Sequence, residues 1–425
     1  MKPINRRKFL ASSAAISAFT ILKPTTVFGT TANSAIRMGI IGCGNRGTAV
    51  INNIVKHTSG QIIAMADLFD YQLEKAKPKF DQFNIDNNGV AIDKSKVYQG
   101  SESYKKLLAD PDVDAVLIST PAYAHPAYLD AAVSAGKHAY CEKPVAPDVE
   151  GCKSVIQTGE KAKGKVSISI GFQIRHATPY VEMANRIRKG DIGDVVNAQL
   201  YYISSGSGKD VKPVGNSREE YMIRNHFHFR ELSGGILLDQ GIHMIDIWNW
   251  IVNENPENAI GSGNRKGEPD FGDTFTNYQV IYGYPDEINV TVHSTQFGSV
   301  FNDVCARFIG TKGVAEAHYN RGVFIEGENP WDSGVLRGQQ PSPEQRAAGV
   351  FTSSLHDSIS NKVKSFINSI ESGELINEAQ SGANSTLAAI LGRMSATSGK
   401  QKTWDEMYFS NQRFNANLNL TQFDK

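Results

Sequence analysis

The chain has 425 residues, 40% of them apolar and 21% charged, which is the composition of a folded protein and too apolar for a disordered one. One hydrophobic core does not span this length, so two domains are expected. Of its 44 bases, Lys2, Arg6, Arg7, Lys8 and Lys23 fall in residues 1–32, where no acid occurs; setting those five aside leaves 39 against 44 acids, a body without the basic footprint that nucleic acid requires.

In chain order, Asn5-Arg6-Arg7-Lys8-Phe9-Leu10 precedes an apolar run over residues 11–22 and small residues around Gly29 to Ala32. A charged end, an apolar stretch too short to cross a bilayer and a small-residue cleavage region mark residues 1–32 as a targeting segment. It resembles a twin-arginine signal, which implies handling by the twin-arginine export machinery. The expected mature protein is periplasmic and has no membrane anchor.

Residues 37–41 read as a buried strand that runs into Gly42-Cys43-Gly44-Asn45-Arg46-Gly47, followed by a helix over 48–57 and a second strand over 61–66 that ends at Asp67. This is the context of a dinucleotide-binding loop. Gly42 allows the tight turn, Gly44 the approach of a pyrophosphate and Gly47 the packing of helix on strand, while the helix N-terminus supplies amides. Asp67 stands where an acid accepts hydrogen bonds from the adenosine ribose, and Leu68-Phe69-Asp70 brings no cation for a 2′-phosphate. NAD is therefore expected in preference to NADP; the alternative for Asp67 is that it ends its strand or caps the next helix.

Further strands over 115–119, 138–141 and 166–170, with helices over 127–135 and 148–162, complete a doubly wound parallel sheet from residue 34 to residue 171. The carboxyl ends of its strands carry Thr120, Pro121, Tyr123, His125, Glu142 and Lys143, where ligands of such sheets bind. Cys43, Cys141, Cys152 and Cys305 have neither a disulfide-framework nor a zinc-motif spacing, and no metal is expected.

The glycine loop, Thr120-Pro121 with His125, Ala135-Gly136-Lys137-His138, Cys141-Glu142-Lys143-Pro144, and the stretch Gly234 to His243 with Asp246 together resemble the glucose-fructose oxidoreductase, inositol dehydrogenase and MocA (Gfo/Idh/MocA) family. The resemblance implies hydride transfer between NAD and a sugar or polyol. It assigns catalysis to Lys143, His243 and Asp239, and cofactor binding to Gly42, Gly44, Asn45, Arg46, Gly47, Asp67, Thr120, Pro121, His125, Glu142 and Lys143. Alcohol oxidation needs a base and a group that steadies the substrate oxygen. On a helix, Asp239 and His243 share a face, so His243 is the expected base and Asp239 either binds a substrate hydroxyl or orients the imidazole. Asp246 is expected to be structural. Arg175, His176, Arg224, Asn225, His226 and His228 are candidates to line a hydroxyl-rich pocket.

Residues 172–425 are expected to form an α+β domain with a large, mostly antiparallel sheet, whose strands lie over 195–203, 274–282, 289–296, 303–309 and 314–318. A loop is expected over 327–348, and then a helix striped by Leu355, Ile359, Val363, Phe366, Ile367 and Ile370. The uncovered face of such a sheet suits a homo-oligomer. The reading is an exported NAD-dependent oxidoreductase with a tightly held, internally recycled cofactor. Its alternatives are an NAD-dependent glycosidase that oxidises and eliminates, and a non-catalytic carbohydrate-binding protein.

Overall fold

The computed structural model describes residues 35–204, 212–213, 217–266, 271–297, 301–336 and 353–424. Residues 1–32, where the sequence leads one to expect a targeting segment, lie outside the described residues.

The first sheet holds β1 (Arg37–Ile41), β2 (Gln61–Asp67), β3 (Val97–Gln99), β4 (Ala115–Ile118), β5 (His138–Cys141) and β6 (Ile168–Ile170). All its pairs are parallel, in the order β3-β2-β1-β4-β5-β6. The order reverses between β1 and β4, the point where such sheets open a crevice at the strands' carboxyl ends. Crossover helices include α1 (Asn45–His57), α2 (Asp70–Asp86), α3 (Ser103–Leu108), α4 (His125–Ser134) and α5 (Val149–Ala162). β4 is buried at every residue, as a strand covered on both faces must be.

The second sheet holds β7 (Val195–Ile203), β8 (Asn258–Asn264), β9 (Asn277–Gly283), β10 (Asn289–Thr295), β11 (Asp303–Gly310), β12 (Gly313–His318), β13 (Val323–Gly327), β14 (Trp331–Asp332) and β15 (Lys402–Thr403). Its order is β14-β13-β12-β11-β7-β10-β9-β8-β15, antiparallel throughout except for the parallel pair β7 and β10. Further helices are α6 (Thr178–Arg188), α7 (Arg218–Arg224), α8 (Ile242–Val252), α9 (Ser358–Ser372) and α10 (Ala379–Ser398). On β9, Tyr278, Val280 and Tyr282 are buried toward α10, while Gln279 and Ile281 between them are exposed. That period of two leaves one face of the sheet covered and the other open.

Two expectations change. The loop expected over 327–348 is interrupted by β14, whose Trp331 pairs with Ile325 of β13; residues 337–352 lie outside the described residues. The striped helix, α9, does not serve the second sheet. Its Val363, Phe366 and Ile367 pack with Val50, Ile51 and Ile54 of α1 and Met38 and Ile40 of β1, so a late segment of the chain completes the core of the first sheet. Among the described residues, no helix is long and apolar enough to cross a membrane.

Candidate active site

The three glycines of the loop after β1 play three different parts. Gly42 has φ +93°, and a Cβ there would lie 2.6 Å from the carbonyl oxygen of Ser119. A Cβ on Gly47 would lie 2.5 Å from the carbonyl oxygen of Gly42, whereas one on Gly44 would meet nothing within 4 Å. Gly42 therefore lets the turn approach the backbone at the end of β4, Gly47 closes the turn on itself, and Gly44 keeps an open cradle. That cradle faces a cavity of about 680 Å³ lined by Gly42, Gly44, Asn45, Arg46, Asp67, Thr120, Pro121, Glu142, Lys143, His226, Asp239 and His243. The hydroxyl of Thr120 and Nδ1 of His243 are buried without a hydrogen-bond partner, which leaves two polar atoms for a ligand to satisfy. An NAD molecule fits this donor set and this cradle.

Asp67 does two things. Its carboxylate accepts the amide of Cys43 at 2.8 Å and that of Phe69 at 3.0 Å, so it ties the glycine loop to the end of β2 while lining the cavity. Burial raises its pKa against those hydrogen bonds. Arg46 donates to Glu142 at 2.8 Å and to Gln173 at 2.7 Å, and Glu142 is buried at 4% exposure. A Cβ on Gly171 would lie 2.5 Å from Glu142 Oε2, so that glycine makes room for the Arg46–Glu142 pair. Lys75 and Arg224 bring cations to the cavity wall from outside the strand β2 turn.

At the end of β5, Lys143 Nζ donates to the main-chain oxygen of Asp239 and stands 3.3 Å from its carboxylate. Asp239 belongs to a π-helical turn, Leu237–Gly241, that leads into α8, and such turns recur at functional sites. His243 follows on the first turn of α8. Its ring lies 6.2 Å from that of Tyr202 and 6.5 Å from that of Phe172. Burial, then the charges of Lys143 and Arg46, push its pKa well below the usual imidazole value, which keeps it neutral. Asp239 and His243 reach one cavity as their spacing requires, but the orienting role expected of Asp239 is corrected: it holds Lys143, and Nδ1 of His243 has no partner.

Several expected site residues stand elsewhere. His125 is buried, with its ring nitrogens 2.7 Å from the Thr120 carbonyl oxygen and 2.8 Å from that of Pro144; it braces the two strand-end loops and does not line the cavity. Arg175 makes a two-pronged pair with Asp246 at 2.9 and 2.5 Å, which anchors α8. His176 faces Glu378 at 3.8 Å. The side-chain amide of Asn225 donates to the Tyr221 carbonyl, and the ring of His228 packs on Phe271 at 4.6 Å. Of that polar group, His226 and Arg224 line the cavity. Gln173, which follows Gly171-Phe172 in the stretch that resembles the family, also lines it, as do Phe69, Tyr71, Ile223 and Leu420; these last are apolar or neutral side chains arriving from separate segments, which no local motif assigns to the site.

Among the described residues, Asp303, Cys305 and His318 bring metal-capable atoms within 4.8 Å of one another. Burial lowers the His318 pKa, but hydrogen bonds to Asp303, Cys305 and Glu316 outweigh it and raise the value to about 11. Its two ring nitrogens lie 3.0 and 2.9 Å from the carboxylates of Asp303 and Glu316, so the cluster is held together by its own hydrogen bonds.

Residues 36–170 match the model of the Gfo/Idh/MocA oxidoreductase family, NAD-binding Rossmann fold, and residues 180–316 match the model of the Gfo/Idh/MocA C-terminal domain. The myo-inositol 2-dehydrogenase of Thermotoga maritima is 26% identical over 371 residues, covering 86% of this chain and 97% of that protein. The inositol 2-dehydrogenase/D-chiro-inositol 3-dehydrogenase of Lactiplantibacillus plantarum is 29% identical over 224 residues, 52% of this chain and 54% of that protein. Among solved structures, scyllo-inositol dehydrogenase of Lactobacillus casei with NAD(H) and scyllo-inositol bound aligns with TM-score 0.63 at 21% identity, covering 87% of this chain and 99% of that one. Aldose-aldose oxidoreductase of Caulobacter crescentus aligns with TM-score 0.66 at 19% identity over the same shares. With both halves matched and the glycine cradle, lysine and histidine meeting in one cavity, the chain belongs to the Gfo/Idh/MocA family and is an NAD-dependent oxidoreductase acting on CH–OH groups.

Proposed function

We propose that the protein is exported and takes a hydride from a carbinol carbon of a polyol or sugar, keeping its NAD bound and returning the hydride to the same or a second sugar. The observation that carries the chemistry is the meeting of Lys143, Asp239 and the unpartnered His243 ring in the glycine-loop cavity. The inositol dehydrogenases among its relatives support a polyol substrate.

Bound NAD supplies the hydride acceptor. The neutral imidazole of His243 accepts the proton of the substrate hydroxyl, because burial beside Lys143 and Arg46 leaves it uncharged. The Lys143 ammonium, fixed by Asp239, faces the oxygen on which negative charge builds as the proton leaves. Arg46, locked to Glu142 and Gln173, holds the glycine loop in register with these groups.

Export supports the retained cofactor, because a dinucleotide released outside the cytoplasm has no pool or partner dehydrogenase to renew it. The Arg6-Arg7 pair supports export. The same retention admits a second reading, cleavage of a glycoside through a transient ketone. The helix-free face of the second sheet, with Ile260 and Ile281 half exposed, supports self-association.

The test is to purify the protein without nucleotide, denature it and assay the released dinucleotide, then measure turnover on inositols, aldoses and aryl glycosides with no NAD supplied. Bound NAD with turnover supports the proposal, and phenol release favours the glycosidase. Empty protein that accumulates NADH one for one with product refutes retention. Normal periplasmic recovery of an Arg6→Lys, Arg7→Lys variant contradicts twin-arginine export.

A further inference from the structure

The last stretch of the chain is fastened beside the glycine-loop cavity. Over residues 411–420 burial alternates residue by residue, with Gln412, Phe414, Ala416, Leu418 and Leu420 less exposed than their neighbours, the pattern of a segment laid on a surface, with a bend at Asn417, whose φ is +48°. At its start, the amide of Phe414 donates to Asp148 Oδ2 at 2.6 Å, and the guanidinium groups of Arg393 and Arg230 lie 5.0 and 5.3 Å from the Phe414 ring. At its end, Gln99 donates to the carbonyl oxygen of Phe423, and the amide and hydroxyl of Ser101 donate to the Asp424 carboxylate at 2.6 and 2.8 Å. The Phe423 ring meets Phe69 edge-on at 5.1 Å, and Gln422 donates to Glu219 at 2.9 Å. Between these fastenings, Leu420 lines the cavity.

A second observation points the same way. Gly100, just after β3, has φ +103°, and a Cβ there would lie 2.5 Å from Asp424 Oδ1. The turn that receives the tail is thus shaped for close approach.

The place matters. Phe69 lies two residues beyond Asp67, and Gln99 ends the neighbouring strand β3. In a doubly wound nucleotide domain the adenosine half lies over the end of the second strand, whereas Lys143, Asp239 and His243 gather at the other half. We propose that residues 412–424 are a clasp over the adenosine half of the dinucleotide site, which slows NAD release by covering its way out. This deepens the retained-cofactor reading and rests on the cavity being the NAD site.

The test compares the full-length protein, stripped of nucleotide, with a chain that ends at Asn417. Dissociation constants and release rates are measured by fluorescence for NAD, ADP-ribose and nicotinamide mononucleotide. Losing the half-buried contacts of Leu420 and Phe423 is expected to weaken NAD and ADP-ribose roughly 10- to 100-fold and to speed their release, with nicotinamide mononucleotide unchanged. A Leu420→Ser, Phe423→Ala variant gives the same result where the shortened chain fails to fold. Equal affinity and release in full-length and clasp variants overturn the clasp. Equal weakening of all three ligands, with a lowered melting temperature of the nucleotide-free protein, also overturns it. Failure of the full-length protein to bind NAD overturns the cofactor reading instead.

Discussion

Lys143 Nζ donates to the main-chain oxygen of Asp239 and stands 3.3 Å from its carboxylate, joining the end of a strand in the first sheet to the π-turn ahead of α8. One side chain thereby ties the end of β5 to the element that carries His243. Lys143→Met is expected to lower kcat by roughly 10²- to 10⁴-fold. Asp239→Asn is expected to lower it less, because the carbonyl contact survives. Both leave NAD affinity nearly unchanged. If Asp239 acts through Lys143, the double variant is no slower than Lys143→Met alone. Steady-state kinetics with NAD titrations check this, and multiplying losses contradict the coupling.

His243 is expected to set the acid limb of the pH profile. Burial beside Lys143 and Arg46 lowers its folded pKa well below 6.5, so the imidazole stays ready to accept a proton as pH falls through the ordinary histidine range. We expect kcat/KM to hold level through pH 6.5 and to fall only in more acid solution. A limb centred at or above 6.5 that disappears in His243→Asn contradicts this environment for the base.

Away from the cavity, Lys362 is 1% exposed and pairs with Glu378, which also accepts the amide of Ile170 at 2.7 Å. Glu378→Gln leaves a buried ammonium without its counter-charge and is expected to cost about 3–5 kcal/mol; Glu378→Gln with Lys362→Met is expected to recover much of that. Burial raises the Glu378 pKa, but Lys362, His176 and the Ile170 amide together hold it well below 4.5. The pair's contribution is therefore complete above that value and fades as pH falls below it. Denaturant titrations of the wild type and the two variants at neutral and acid pH check both statements. Equal stability of Glu378→Gln and wild type contradicts them.

Much of this was legible in the sequence because the first sheet writes its ligand end in contiguous motifs. Gly42 to Gly47 and Glu142-Lys143 each sit at the end of one strand, so local order fixes their place. The i, i+4 spacing of Asp239 and His243 put both in the cavity, although a π-turn intervenes. What the spacing could not show is that Asp239 finds Lys143, 96 residues earlier. For the same reason His125, Arg175 and His176 read as ligand-binding residues: a polar side chain at a strand end looks alike whether it faces a ligand or a buried carbonyl or carboxylate. α9 and the tail contribution of Leu420 are long-range contacts, with no periodicity to announce which sheet they serve.

The central claim is tested most directly by mixing the nucleotide-free protein with NAD and each of a series of inositols and aldoses and recording reduced-nicotinamide absorbance, bound and free, in a single turnover. We expect reduced cofactor to form with at least one polyol or sugar in wild type, and Lys143→Met and His243→Asn to bind NAD as wild type does yet reduce it roughly 10²-fold more slowly or worse. Wild-type rates of reduction in either variant, or no reduction by wild type with any of these substrates, would contradict the account.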